Sequence, residues 1–175
     1  MTTGSRWRSG MLRVGAGMVV AGLLGACSVV PGAAVRTPYG GAKPTFENGP
    51  ADEVKIGNVS GLGGVLVDGK GLTVYQFASD TQGAPSKCAG LCAVGWPPLT
   101  LPPGTLAPIA GPGIKSGLLG TEPRADGSVQ ITYNGWPLYT WPKDTAPGQA
   151  TGQGLTNLGG RWWVIDAAGD GVHTP

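Results

Sequence analysis

The chain has 175 residues, 41% of them apolar and only 13% charged, with 33 Gly, 16 Pro and six Trp. That is one domain's length with enough apolar and aromatic mass to pack a core, which excludes a disordered Gly/Pro-rich polymer. Three of the twelve Lys and Arg (Arg6, Arg8, Arg13) fall in the first 26 residues; nine then face ten acidic groups, so no basic field remains for nucleic acid or an anionic lipid surface.

Residues 1–26 read as an export signal. The three arginines form a positive n-region, and 14–24 form an apolar stretch too short for a bilayer core, which needs about 20 residues. The run Leu24-Gly25-Ala26-Cys27 resembles a bacterial lipobox. That resemblance implies a diacylglyceryl group on the Cys27 thiol, cleavage just before it and acylation, palmitate included, of the new N-terminus. An ordinary small-residue cleavage site beside a cysteine is the alternative. Residues 27–52 lack strand or helix periodicity and are rich in Gly, Pro, Ala and Thr. They read as a flexible tether with a reach of roughly 25–30 Å. The expected location is the outer face of the cytoplasmic membrane, held there through Cys27.

Residues 53–170 are expected to form one mainly β domain of antiparallel hairpins in two related repeats, sandwich- or barrel-like, with folding under way near Val54. Repeat one spans about 61–104 and repeat two about 118–169. The first copy carries Val65-Leu66-Val67, a turn at Asp68-Gly69-Lys70-Gly71, and a strand from Leu72 to Phe77 leading to Asp80. The second carries Val129 to Tyr133, the turn Asn134-Gly135, and Trp136 to Trp141 leading to Asp144. Asn-Gly supplies both positive-φ positions of a type I′ hairpin turn. A further hairpin turns at Asp126-Gly127, and a last strand runs from Arg161 to Asp166. Pro97, Pro98, Pro102, Pro103, Pro108 and Pro112 predict a surface connection rather than a central strand, with a short helical turn near 114–119.

The two copies share Tyr-x-(Phe/Trp)-x-x-Asp: Tyr75, Phe77, Asp80 and Tyr139, Trp141, Asp144. With Cys88-Ala89-Gly90-Leu91-Cys92, Trp96-Pro97-Pro98-Leu99 and Arg124-Ala125-Asp126-Gly127, the pattern resembles a family of bacterial secreted-repeat lipoproteins defined by that motif in tandem. The resemblance covers about 61–169 and implies a membrane-tethered extracytoplasmic protein. The family has no assigned activity, so no catalytic role is carried over.

In a strand, Tyr75 and Phe77 share a face, as do Tyr139 and Trp141. Each Asp then falls just past a strand end, where its carboxylate accepts backbone N–H groups or a phenolic proton. The leading reading is structural: aromatics pack and the Asp fixes a loop. The competing one makes Tyr75/Asp80 and Tyr139/Asp144 two pairs framing one ligand site. Cys88 and Cys92 form an even pair in an oxidising compartment, and a disulfide is the expectation. Closing so short a loop stabilises by about 2 kcal/mol. A metal- or redox-linked role, with thiolates suited to Cu(I), is the alternative, although the single histidine, His173, lies close to the last residue. Trp96, Trp136, Trp141, Trp162 and Trp163 are read chiefly as packing, and otherwise as a stacking surface for an envelope glycan or protein partner. Gly148 to Gly154 lacks the Lys-Ser/Thr of a phosphate loop. With no histidine inside the domain, no G-x-S-x-G and no metal-ligand cluster, no enzyme activity, metal or cofactor is expected.

Overall fold

The computed structural model describes residues 49–174. The expected signal, the Cys27 anchor and the tether as far as residue 48 lie outside the described residues. Residues 49–52, read from sequence as the end of the tether, are hydrogen-bonded: Gly49 N–H donates to Gly69 O, and Asp52 O accepts from Ile109 N–H.

The architecture is mainly β, in three sheets of sandwich-like arrangement, built from two related halves. The first half opens with a hairpin of β1 (Glu53–Val59) and β2 (Gly63–Asp68), continues into β3 (Val74–Phe77), and then enters a loop with a single helical turn, α1 (Leu91–Gly95). A two-residue strand, β4 (Ile109–Ala110), and a 3₁₀ turn at Ser116–Leu118 lie in the connection. The second half repeats the order. Its hairpin is β5 (Leu119–Pro123) and β6 (Val129–Tyr133), followed by β7 (Trp136–Pro137), β8 (Tyr139–Thr140), β9 (Thr156–Asn157) and β10 (Gly160–Val164). The sheet orders are β2-β1-β4, β8-β3-β10-β9 and β5-β6-β7.

The central sheet joins the halves. Strands β3 and β8 pair antiparallel with Tyr75 opposite Tyr139, and β3 also pairs with β10, setting Tyr75 against Val164. The turn at Asn134-Gly135 has φ of 50° and 75°, the double left-handed geometry that Asn-Gly adopts at little steric cost. It returns the chain along β6, pairing Tyr133 with Trp136.

Two expectations need correction. Strands β2 and β3 were predicted to form a hairpin, but they share one bridge, Val67 to Thr73; β2 pairs with β1, and β3 crosses to the other half. The crossing buries Tyr75 and Phe77 against aromatics of the second repeat, an apolar gain that a private hairpin would forgo. The stretch 97–101, predicted as a surface connection, runs along β6 and β8 and buries Leu99 and Leu101. Its register tolerates the prolines because only Leu99 and Leu101 donate: Leu99 N–H to Leu138 O and Leu101 N–H to Val129 O, while Pro97 O accepts from Thr140 N–H. It is the first half's counterpart of β10.

Period-two alternation sorts the core into two layers. Val65, Val67, Tyr75, Phe77, Tyr139, Trp162 and Val164 pack with Trp96 and Cys88 on one side. Leu66, Val74, Leu138 and Ile165 pack with Val54, Ile131 and Tyr133 on the other.

Candidate functional site

The motif residues meet at the boundary between the halves, and they pair across it. Tyr75 donates its hydroxyl to Asp144 Oδ2, and Tyr139 donates to Asp80 Oδ2 at 2.7 Å. The within-copy pairs considered from sequence do not form. Because β3 and β8 set the two tyrosines opposite one another, each ring reaches the loop that follows the other repeat's strand. The second oxygen of each carboxylate ties that loop: Asp80 Oδ1 accepts Lys87 N–H at 2.7 Å, and Asp144 Oδ1 accepts Thr151 N–H at 2.8 Å. Each aspartate also closes its own turn, Asp80 N–H to Phe77 O and Asp144 N–H to Trp141 O, both at 3.0 Å.

All four groups are buried. Burial first, then the neighbouring carboxylate, pushes the Tyr75 hydroxyl far above the ordinary phenol range; burial leads for Tyr139 as well, with Asp80 acting in the same direction. Burial also raises Asp80, against the lowering pull of the Tyr139 hydrogen bond and of Lys87 and Arg124. Phenols held this firmly protonated donate hydrogen bonds and do not act as bases.

The tryptophans repeat the symmetry. Trp96 and Trp162 hold equivalent places in the two halves and stack face to face at 4.0 Å between centroids and 7° between planes. Phe77 stacks on the outer face of Trp162 at 4.3 Å, and Trp141 on that of Trp96 at 4.3 Å. Tyr75 stands edge-on to Trp96 and Tyr139 to Trp162, each at 5.2 Å. The four-ring stack spends its faces internally, so Trp96 and Trp162 present no sugar-binding platform. Trp163, on the opposite face of β10, is buried too: the Arg161 guanidinium lies 4.5 Å above its ring and His173 packs edge-on at 4.7 Å. Trp136 and Trp141 are partly exposed, with the Lys143 ammonium 5.6 Å from the Trp141 ring.

Cys88 and Cys92 are joined as a disulfide, with Cys88 wholly buried beside Trp162 and Tyr139. Among the described residues no third His, Cys, Asp or Glu groups with another two as a metal-ligand set. The bridged loop feeds the Tyr139 pair: Cys88 N–H donates to Ser86 Oγ at 3.1 Å, and Ser86 Oγ lies 2.5 Å from the Tyr139 hydroxyl. In the second half Gly152 N–H reaches the Tyr75 hydroxyl directly, at 3.3 Å.

Two clefts open where the loop after one repeat's motif meets the hairpin tip of the other. One, of about 460 Å³, lies between the disulfide loop and the β5–β6 turn and includes Ser86, Glu122, Arg124 and Asp126. The other, of about 340 Å³, lies between Gly148–Gln153 and the β1–β2 turn. Sequence reasoning singled out neither Ser86 nor Glu122, and Arg124 and Asp126 entered it only as part of a turn motif. No spacing rule brings two segments so far apart in the chain to one cleft.

A domain whose repeats interlock through Tyr-x-(Phe/Trp)-x-x-Asp defines a tandem-repeat class, and a family model described as a secreted repeat of unknown function matches residues 59–100 and 120–166. The chain belongs to that family, and a secreted repeat places the domain outside the cytoplasm. No curated protein matches the chain, and no solved structure does.

Proposed function

We propose that this chain is an exported lipoprotein, anchored through a diacylglyceryl group on Cys27 to the outer face of the cytoplasmic membrane. Its two-repeat domain is a non-enzymatic binding or structural module of the cell envelope, with an envelope glycan or protein as partner. The observation that carries the non-enzymatic reading is the crossed pairing. The groups the family motif places in the core, Tyr75, Tyr139, Asp80 and Asp144, are buried and spent on one another, whereas general acid–base work needs a group within reach of substrate. The anchor rests on the lipobox-like Leu24-Gly25-Ala26-Cys27. The disulfide fits an oxidising compartment.

The test is metabolic labelling of the full chain in a bacterial host with radioactive palmitate. Label retained in the parent, lost in Cys27→Ser and accompanied by a larger uncleaved form under globomycin supports the anchor. An unlabelled, soluble, cytosolic chain would refute it.

A further inference from the structure

The two halves form an internal control. Leu62 N–H closes the β1–β2 turn on Val59 O, and Gly127 N–H closes the β5–β6 turn on Arg124 O, so Val59 and Arg124 hold the same place. Stepping two residues back along each hairpin pairs Gly57 with Glu122. Forward, Val65 bridges Asp166 as Gln130 bridges Thr100. In the loops, Ala150 and Ser86 each precede the residue whose N–H binds the motif aspartate. Gly57, Val59, Val65 and Ala150 therefore hold, around the smaller cleft, the places that Glu122, Arg124, Gln130 and Ser86 hold around the larger one. The first half thus folds without a counterpart of the Glu122, Arg124 and Gln130 side chains, and a buried charged cluster is often matched in stability by an apolar one of similar volume.

The cluster is also incomplete. Only 8% of the Arg124 side chain is exposed. Its terminal nitrogens go to Gln130 Oε1 and, at 2.7 Å, to Cys88 O, both neutral acceptors. Its Nε–H is buried with no acceptor; Asp126 Oδ2, at 3.9 Å, lies beyond hydrogen-bond reach. Glu122 Oε1 accepts Ser86 N–H at 3.0 Å, and no cationic group of the described residues lies within 4 Å of that carboxylate. Burial raises the proton affinity of Glu122. Neither carboxylate is thus hydrogen-bonded to the guanidinium, whose terminal nitrogens are engaged elsewhere, and both face a cleft of about 460 Å³ walled by Pro85, Ala89 and Ala93, a size typical of small-molecule sites.

We propose that this cleft binds a small amine-bearing molecule, its ammonium against Glu122 and Asp126 and, as the exposed turn carrying Asp126 gives way, an oxygen acceptor on the buried Arg124 Nε–H. The site goes beyond the anchoring reading and stands or falls apart from it, since acylation of Cys27 and occupancy of the cleft are measured separately.

The experiment has two arms, both on the full chain purified in detergent. First, Arg124→Val with Gln130→Val transplants the residues that hold the equivalent places in the first half, Val59 and Val65. The parent's melting temperature is expected to be kept within about 3 °C; a much lower one, or failure to fold, makes the cluster structural and overturns the proposal. Second, glucosamine is titrated against arginine-labelled protein while the Arg124 Nε–H resonance is followed, with N-acetylglucosamine as the neutral comparator. Saturable movement of that resonance with glucosamine, at least tenfold weaker for the comparator and for Glu122→Gln, supports the site. No response to either sugar, or an equal response to both, overturns it.

Discussion

Tyr139 of the second repeat donates its hydroxyl to Asp80 of the first at 2.7 Å, inside the core, and Tyr75 and Asp144 repeat the bond in the reverse direction. Neither repeat satisfies its own motif. A buried carboxylate stripped of its donor loses about 1–3 kcal/mol, and Trp96 stripped of Trp162 loses its stacking partner. Residues 49–104 alone should therefore remain unfolded, giving collapsed amide proton dispersion. Well-dispersed spectra from that fragment would show that each half is self-sufficient.

The raised phenols make the fold sensitive to alkali. Unfolded tyrosine ionises near pH 10, whereas Tyr75 and Tyr139 keep their protons well above it when folded. Between those values the folded state binds more protons than the unfolded one, so stability present below pH 10 is lost as pH rises. The slope is about 1.4 kcal/mol per pH unit for each tyrosine. Unfolding free energies taken from denaturant melts between about pH 10.5 and 12 should fall with a slope near twice that value, and Tyr75→Phe should halve it. An equal slope in parent and variant would contradict the assignment.

Gly152 lies where a β-carbon would come within 2.7 Å of Trp96 and 3.0 Å of the Tyr75 ring. Both neighbours are locked, Trp96 in the stack and Tyr75 on Asp144. Gly152→Ala should cost about 1–3 kcal/mol through overpacking, read as a lower melting temperature. An unchanged melt would mean that the stack yields.

Removing the disulfide by Cys88→Ala with Cys92→Ser should lower stability by about 2 kcal/mol, the loop-closure value for so short a ring. The loss should extend to the loop that carries Ser86 and the Arg124 acceptor Cys88 O. Hydrogen exchange at the Lys87 amide, which binds Asp80, should accelerate in this variant, whereas the Thr151 amide, which binds Asp144, should not. Equal acceleration at both would contradict a local role.

Local signals were readable wherever turn chemistry or period-two alternation sets the geometry. Asn134-Gly135 and Asp126-Gly127 each announce a hairpin, and Tyr75 with Phe77 share a face by spacing. Strand β1 gives no clear signal because Glu53, Lys55 and Asn58 interrupt its apolar pattern, and β4 covers its outer edge instead of leaving it solvated. Residues 97–101 depart from the sequence expectation because proline content argues against a strand, whereas the donors used fall on Leu99 and Leu101. The crossed pairs were beyond reach for another reason. Spacing links Tyr75 to Asp80 within a copy, while the partner each phenol takes depends on the register of β3 against β8, which no local pattern encodes.

A double-mutant cycle on the buried pairs tests the crossing most directly, with Tyr75→Phe combined in turn with Asp144→Asn and with Asp80→Asn and stabilities taken from denaturant midpoints. The crossed geometry predicts a coupling of about 1 kcal/mol or more for Tyr75 with Asp144 and additivity within about 0.5 kcal/mol for Tyr75 with Asp80. Coupling to Asp80 and none to Asp144 would mean that each repeat closes on itself.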